Sequence, residues 1–253
     1  DPKKLDSYLF LDIETIHAHS EFSELDEVAQ KHWRKKASRL NNHPDPEDPY
    51  YKDLEEDDAM YRENAGIFAE FGRICCISCG ILNGDSEQLG LRIKSYANED
   101  EKTLLNDFCQ MVGEYEKRLR SRGRELKVVG HNIKEFDYPY IGRRMLVNDV
   151  ALPFTFQRQG AKSWETPLVD TMDLWKFGDY KHYTSLELLA NILGIPSPKD
   201  DIDGSMVSRV FWAEGDLPRI QHYCQQDVKA TVQVALRLSG LPLLTEDAVE
   251  IAD

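Results

Sequence analysis

Asp12 and Glu14 stand two residues apart at the end of the apolar run Leu9 to Ile13. On a strand, positions i and i+2 share a face about 6.6 Å apart, so the two carboxylates project together and could share a cation. Burying both without partners is costly, and a hard divalent cation, which takes oxygen ligands, removes that cost. A third acid, Asp137, follows the strand and polar turn of VVGHNIKEFDYPYIGRR at a helix start, where the ordinary role of Asp is to cap. In RIQHYCQQDVKATVQVALRL, Tyr223 and Asp227 lie four apart and stack on one helix face beside Ile220, Cys224, Val228 and Thr231. An Asp turned toward a core needs a metal or a hydrogen-bond network. Each of these signals is common by itself.

The elements that must position these residues are legible in outline. Ser7 to Thr15 alternates apolar residues on both faces until the acids arrive, as a central strand does. Arg73 to Leu82, the turn Asn83-Gly84-Asp85 and Gln88 to Tyr96 form a hairpin signal, because Asn-Gly tolerates positive φ. Asp100 caps a helix to about Arg120, Leu126 to Val129 is a fourth strand, a helix spans about Asp137 to Leu146, and Pro167 to Asp170 is a fifth strand. Thr184 with Glu187 makes a capping box for a helix through Leu193. A short helix follows from Asp203 or Gly204 to Ala213. Asp216 caps the last long helix, with Pro218 in its first turn and Gly240 after its end. Three early strands, then strands alternating with helices, predict an α/β fold of ribonuclease H type. Its five-stranded sheet would be mixed, the first three strands antiparallel and the rest parallel, with helices on its flanks.

Between the first two strands, residues 17 to 66 change character. Glu21 to Leu40 reads as a helix, Asn41 to Tyr51 is rich in Pro, Asn and Asp, and Asp53 to Asp58 is an acidic run whose ordinary role is a solvated face. We read one domain over residues 1 to 253, with this segment as an acidic insertion or lid that could bind a partner protein.

Composition bounds the function. The 41% hydrophobic content is globular, and no stretch approaches the roughly 20 apolar residues of a membrane helix. The chain starts at Asp1 without a cationic, apolar leader. Cys75, Cys76 and Cys79 sit in an apolar strand, while Cys109 and Cys224 stand alone on helical patterns. They read as reduced core residues rather than zinc ligands, which points to the cytoplasm. The net charge of −14 argues against a protein that coats nucleic acid. Residues 1 to 70 hold 18 acidic against 9 basic side chains, so the acidity is concentrated there and does not forbid a small contact with a strand end.

Together, Asp-x-Glu, Asn-x-x-x-Phe-Asp and Tyr-x-x-x-Asp resemble the three ordered motifs of the DEDD exonucleases. HNIKEFDYPYIGRR and YCQQD are most similar to the proofreading domain of family B DNA polymerases, over about Tyr8 to Leu238 apart from the insertion. No polymerase motif is visible, so the expectation is a free-standing enzyme. The superfamily has a histidine subclass, with His five before the last Asp, and a tyrosine subclass, with Tyr four before it, and His222 and Tyr223 satisfy both. A residue four back on a helix is about 40° away around the axis and one five back about 140°, so Tyr223 faces Asp227.

The resemblance implies a catalytic set of Asp12, Glu14, Asp137, Asp227 and Tyr223. Two divalent cations, Mg²⁺ or Mn²⁺, would be held by the four carboxylates, and Asn132 and Phe136 would contact the terminal nucleotide. The ordinary role of Phe136 is core. The implied activity is 3′-5′ hydrolysis of single-stranded DNA, releasing nucleoside 5′-monophosphates, in a setting such as DNA repair. An exoribonuclease and a non-catalytic binding module are the alternatives. Arg143, Arg144, Lys176, Lys181 and Lys199 are candidate phosphate contacts or plain surface charges. Asp170, Asp173, Asp200, Asp201 and Asp203 read as turn and capping acids.

Overall fold

A computed structural model describes residues 2–41, 54–84, 89–179, 182–196 and 201–252. β1 (Tyr8–His17) lies inside a six-stranded sheet with β2 (Gly72–Gly84), β3 (Leu89–Ala97), β4 (Lys127–Gly130), β5 (Leu168–Asp170) and β6 (Val249–Ala252), in the order β5-β4-β1-β2-β3-β6. β1, β2 and β3 are antiparallel, whereas β4 pairs parallel with β1, β5 with β4, and β6 with β3. The mixed sheet matches expectation except for β6. That strand's four residues carry no alternation, and they pair only because the chain end returns to the β3 edge. β2 also runs through Asn83 and Gly84, and the connection at 85–88 lies outside the described residues.

Helices cover both faces of the sheet. α1 (Glu27–Asn41) and α2 (Leu54–Asn64) lie between β1 and β2, and α3 (Glu101–Arg120) precedes β4. α4 (Asp137–Val147), α5 (Thr171–Lys176), α6 (Leu186–Ile192), α7 (Val207–Arg209) and α8 (Leu217–Leu238) follow, with a π-helical turn at Val210–Glu214 between the last two. The alternation of β1 sets the two cores. Odd residues Leu9, Leu11 and Ile13 pack with Leu104, Phe108, Val112 and Ile141 of α3 and α4. Even residues Phe10 and Ile16 face Val228, Val232, Ile220 and Cys224 of α8. Asp12 and Glu14 are even, so they point to the α8 side. Gly80 allows that packing to be close, since a Cβ there would meet Val228 Cγ1 at 2.9 Å.

Several caps form as the residues dictate. Asp100 accepts from Thr103 N, Asp216 from Arg219 N and Asp203 from Ser205 N. Ser185, not Thr184, caps α6 by accepting from Leu188 N, so the expected capping box is not used. The helix expected over Glu21 to Leu40 starts later, after a 3-10 turn at Phe22–Glu24. The Pro-rich stretch from 42 to 53 lies outside the described residues. The acidic run contributes to α2, and its Asp57 is 2% exposed and paired with Arg34 at 2.6 Å, which corrects the solvated-face expectation. Trp33, Tyr61, Phe22 and Phe71 form a local core here. His17 ties that core to the end of β1, its ring 5.5 Å from Tyr61 and stacked 5.8 Å from Trp212.

Arg144 is also corrected. It is 9% exposed and donates to both Glu101 oxygens and to the Ala69 carbonyl, so it is neither a phosphate contact nor a surface charge. Removing one partner strands the other buried charge. Arg144→Met is therefore expected to cost roughly 3–5 kcal/mol of stability, read by urea denaturation with and without the substitution.

Candidate active site

Asp12 and Glu14 leave the same face of β1, opposite Ser78 and Cys76 of β2. The register shifts between Glu14 and Thr15, because Cys75 bulges from β2 and the next pair is Thr15 with Ile74. A bulge bends and twists the strand locally, and here it does so directly after Glu14. On its other edge β1 pairs with β4 only through Phe10, which leaves the Ile13 N–H free of the ladder. Asp137 fills that role. Its Oδ1 accepts from Ile13 N at 3.2 Å, across 124 residues. Phe136 is the N-cap of α4, so Asp137 is the first helical residue and is turned toward the acids of β1 rather than capping.

α8 supplies the third side. Tyr223 is half-buried and Asp227 lies one turn on, within a hydrogen bond of the phenol. His222 is exposed, as the helical geometry requires of the residue next to Tyr223. Cys224, which looked isolated in the sequence, places its Sγ 3.4 Å from Asp12 Oδ2.

The electrostatics of this cluster are those of crowded, buried anions. Burial, then the charges of Asp227 and Asp137, holds the Asp12 carboxyl well above the usual carboxylate range. Burial and then Asp12 and Asp227 do the same to Glu14, which is 6% exposed. Burial pushes Asp137 up to about 7, against the lowering effect of its backbone hydrogen bonds. Tyr223 is raised by burial, then by Asp227, Glu14 and Asp12, so its phenol keeps its proton at neutral pH. Three acids, Asp12, Glu14 and Asp137, each raised by burial and by the charge of Asp227, fit hard divalent cations. Asp12, Glu14 and Cys224 each offer a donor atom within 4.8 Å of the other two.

Behind this cluster, the turn 131–134 is held by Asp170. Its carboxylate accepts from Asn132 N, Lys134 N and Met172 N, so its capping expectation is met with more bonds than a cap needs. Asn132 adopts φ 59°, an uncommon conformation outside glycine, and its Oδ1 is buried without a hydrogen-bond partner in the structure. Phe136 packs on the core with its ring 5.4 Å from Tyr140. His131 bridges Thr171 Oγ1 and the Thr184 carbonyl. The next residue back, Tyr183, is 68% exposed, and its phenol pKa is raised by partial burial and then by Asp137 and Asp227. No spacing in the sequence marked Tyr183, because the link runs through tertiary contacts of His131. Lys176 is drawn to Asp173 at 4.0 Å, and Asp173 also pairs with Lys134 at 2.8 Å. Asp201 pairs with Arg219, Arg143 is exposed, and Lys181, Lys199 and Asp200 lie outside the described residues.

A family model described as a predicted 3′-5′ exonuclease related to the exonuclease domain of PolB matches residues 67–246, more than half of the chain. The chain belongs to this family. The match takes in Asp137, Tyr223 and Asp227 and starts after β1, so Asp12 and Glu14 lie outside the matched residues. A DNA polymerase of Archaeoglobus fulgidus is 26% identical over 149 residues, which are 55% of this chain and 18% of that protein. Among solved structures, the family B DNA polymerase of the hyperthermophilic archaeon Pyrobaculum calidifontis aligns with a TM-score of 0.52 at 17% identity, over 93% of this chain and 26% of that one. The PolB-type exonuclease chain thus spans about a fifth to a quarter of these relatives, and the structural likeness is one of fold. No described helix is long and apolar enough to cross a membrane.

Proposed function

We propose that this chain is a 3′-5′ exonuclease that removes nucleotides from single-stranded DNA at the cluster Asp12, Glu14, Asp137 and Asp227. The observation that carries the reading is the Asp137 to Ile13 hydrogen bond, which locks the second motif's acid onto the backbone between the first motif's two acids. Asp12, Glu14 and Asp227 would hold one divalent cation, and Asp12 with Asp137 a second. Two such cations, Mg²⁺ or Mn²⁺, would offset the carboxylate charge, acidify the attacking water and stabilise the leaving oxygen of an in-line displacement. The new bond joins water oxygen to the terminal phosphorus, and the bond to the 3′ oxygen breaks. The products are a nucleoside 5′-monophosphate and a strand one residue shorter with a 3′-hydroxyl.

The chain's own residues orient these groups. Tyr223 keeps its proton, and its single O–H, shared with Asp227 in this structure, would turn to the attacking water to position it, a role that suits so raised a pKa better than proton removal. The unpaired Asn132 Oδ1 is placed to accept from the terminal nucleotide. Phe136 supports that turn from the core. Tyr223→Phe is expected to slow turnover about 100-fold while leaving metal-induced thermal stabilisation unchanged, and full turnover in this variant would remove Tyr223 from the mechanism.

DNA is preferred over RNA because both relatives are DNA polymerases by title. The free cysteines, four of them buried, support a reducing, cytoplasmic setting. The described part of the segment between β1 and β2, whose Tyr61 packs on His17, is a candidate lid or partner surface. Digestion of 5′-labelled single-stranded DNA and RNA of one sequence, with Mg²⁺ or Mn²⁺, tests the reading. Stepwise shortening of the DNA from its 3′ end is expected, and faster shortening of the RNA would make the chain an exoribonuclease.

A further inference from the structure

Four carboxylates and a phenol account for the hydrolysis, and one thiol in the same cluster is left over. Cys224 is fully buried on the α8 stripe that faces the sheet. Its Sγ lies 3.4 Å from Asp12 Oδ2 and 3.5 Å from the Asp12 carbonyl oxygen. One donor atom each from Asp12, Glu14 and Cys224 falls within 4.8 Å of the other two, close enough for small side-chain adjustments to bring all three onto one ion. Glu14 is 6% exposed, and burial, then the charges of Asp12 and Asp227 and the thiol of Cys76, all act against its charged form. A largely buried carboxyl grouped with a thiol and a second carboxylate is a donor set whose charge a cation would offset.

We propose that Cys224 is a third ligand for borderline and soft divalent cations, so that Zn²⁺, or Cd²⁺ as a probe, binds at Asp12, Glu14 and Cys224 and competes with the hydrolytic cation. This rests on the reading of the carboxylates as a cation site and adds what else that site takes. Mg²⁺ is served by oxygen alone, whereas a sulfur ligand favours Zn²⁺ and Cd²⁺. Binding breaks the Cys224 S–H bond, gives its proton to solvent and forms a sulfur–metal bond. Cys76, opposite Glu14 on β2, is in hydrogen-bond contact with the Cys224 thiol and is the one other sulfur to be tested.

Cadmium titrated into the full chain should produce a saturable thiolate-to-cadmium charge-transfer band in the ultraviolet. Cys224→Ser and Cys224→Ala should each abolish it and weaken Cd²⁺ binding about 10- to 100-fold, while Cys76→Ala keeps it. Mn²⁺ binding, followed by electron paramagnetic resonance, should persist in all four proteins. An undiminished band in folded Cys224 variants overturns the proposal. Cadmium-edge X-ray absorption on the unmodified chain gives the same answer without a substitution that could unfold it: one sulfur neighbour is expected, and oxygen-only coordination overturns the assignment. Oxygen-only cadmium in a chain that still digests DNA with Mn²⁺ sinks only the thiol ligand. Absence of digestion with Mg²⁺ and Mn²⁺ sinks the nuclease reading whatever cadmium does.

Discussion

Asp12→Asn is expected to slow 3′-end hydrolysis by at least about a thousandfold and, in the same protein, to raise the thermal midpoint measured in EDTA. The two effects have one cause. Burial, then the charges of Asp227 and Asp137, disfavours the charged form of Asp12. Asparagine keeps the size and can still accept from Cys224, but it removes a buried charge that the fold disfavours unless a proton or a cation offsets it. The metal-free protein gains stability because one buried anion is gone, whereas on the proposed reading catalysis loses the ligand that both cation positions would share. A thousandfold loss is about 4 kcal/mol of transition-state stabilisation, within what a metal site supplies. Digestion of a 5′-labelled strand and thermal melts with EDTA check both halves. Activity within about tenfold of the parent would deny Asp12 its role.

The second large effect is a reversal of pH dependence by metal. A carboxyl whose pKa is higher in the folded chain than in the unfolded one keeps its proton longer when folded. Between the two values the folded state therefore binds more protons, and stability falls as pH rises. For Asp137 the window runs from about 4, the ordinary value, to about 7, and Asp12 and Glu14 shift in the same direction. In EDTA the contribution of Asp137 is present in full below about pH 4 and is lost as pH rises through about 7, and those of Asp12 and Glu14 are lost in the same direction. Divalent cations replace the protons, so Mn²⁺ should raise the thermal midpoint far more near pH 8 than near pH 5.5. Equal Mn²⁺ stabilisation at the two pH values would show that the ion binds away from these carboxylates.

How much of this was legible follows from what each element rests on. β1, α3 and α8 were readable because alternation and the 3.6-residue period survive in their sequences, and Asp100 and Asp216 mark helix starts by local hydrogen bonds. Tyr223 could be chosen over His222 for the same reason, since helical angle is a local property. What depends on distant partners was hidden. Arg144 reads as a surface cation until Glu101, 43 residues away, is brought against it. Asp57 reads as part of a solvated run until Arg34 reaches it. β6 is too short to alternate and exists only through the β3 edge. Cys224 looked like simple core because its chemistry belongs to Asp12 on another element, and that same convergence makes the carboxylates a site.

Crystals grown with Mn²⁺ and examined by anomalous scattering test the central claim most directly. The account predicts a manganese peak within coordination distance of Asp12 and Glu14, with Asp227 completing its ligand set and Asp137 facing a second position. Manganese bound elsewhere on the chain, with Asp12 and Glu14 uncoordinated in a protein active under the same conditions, would contradict it.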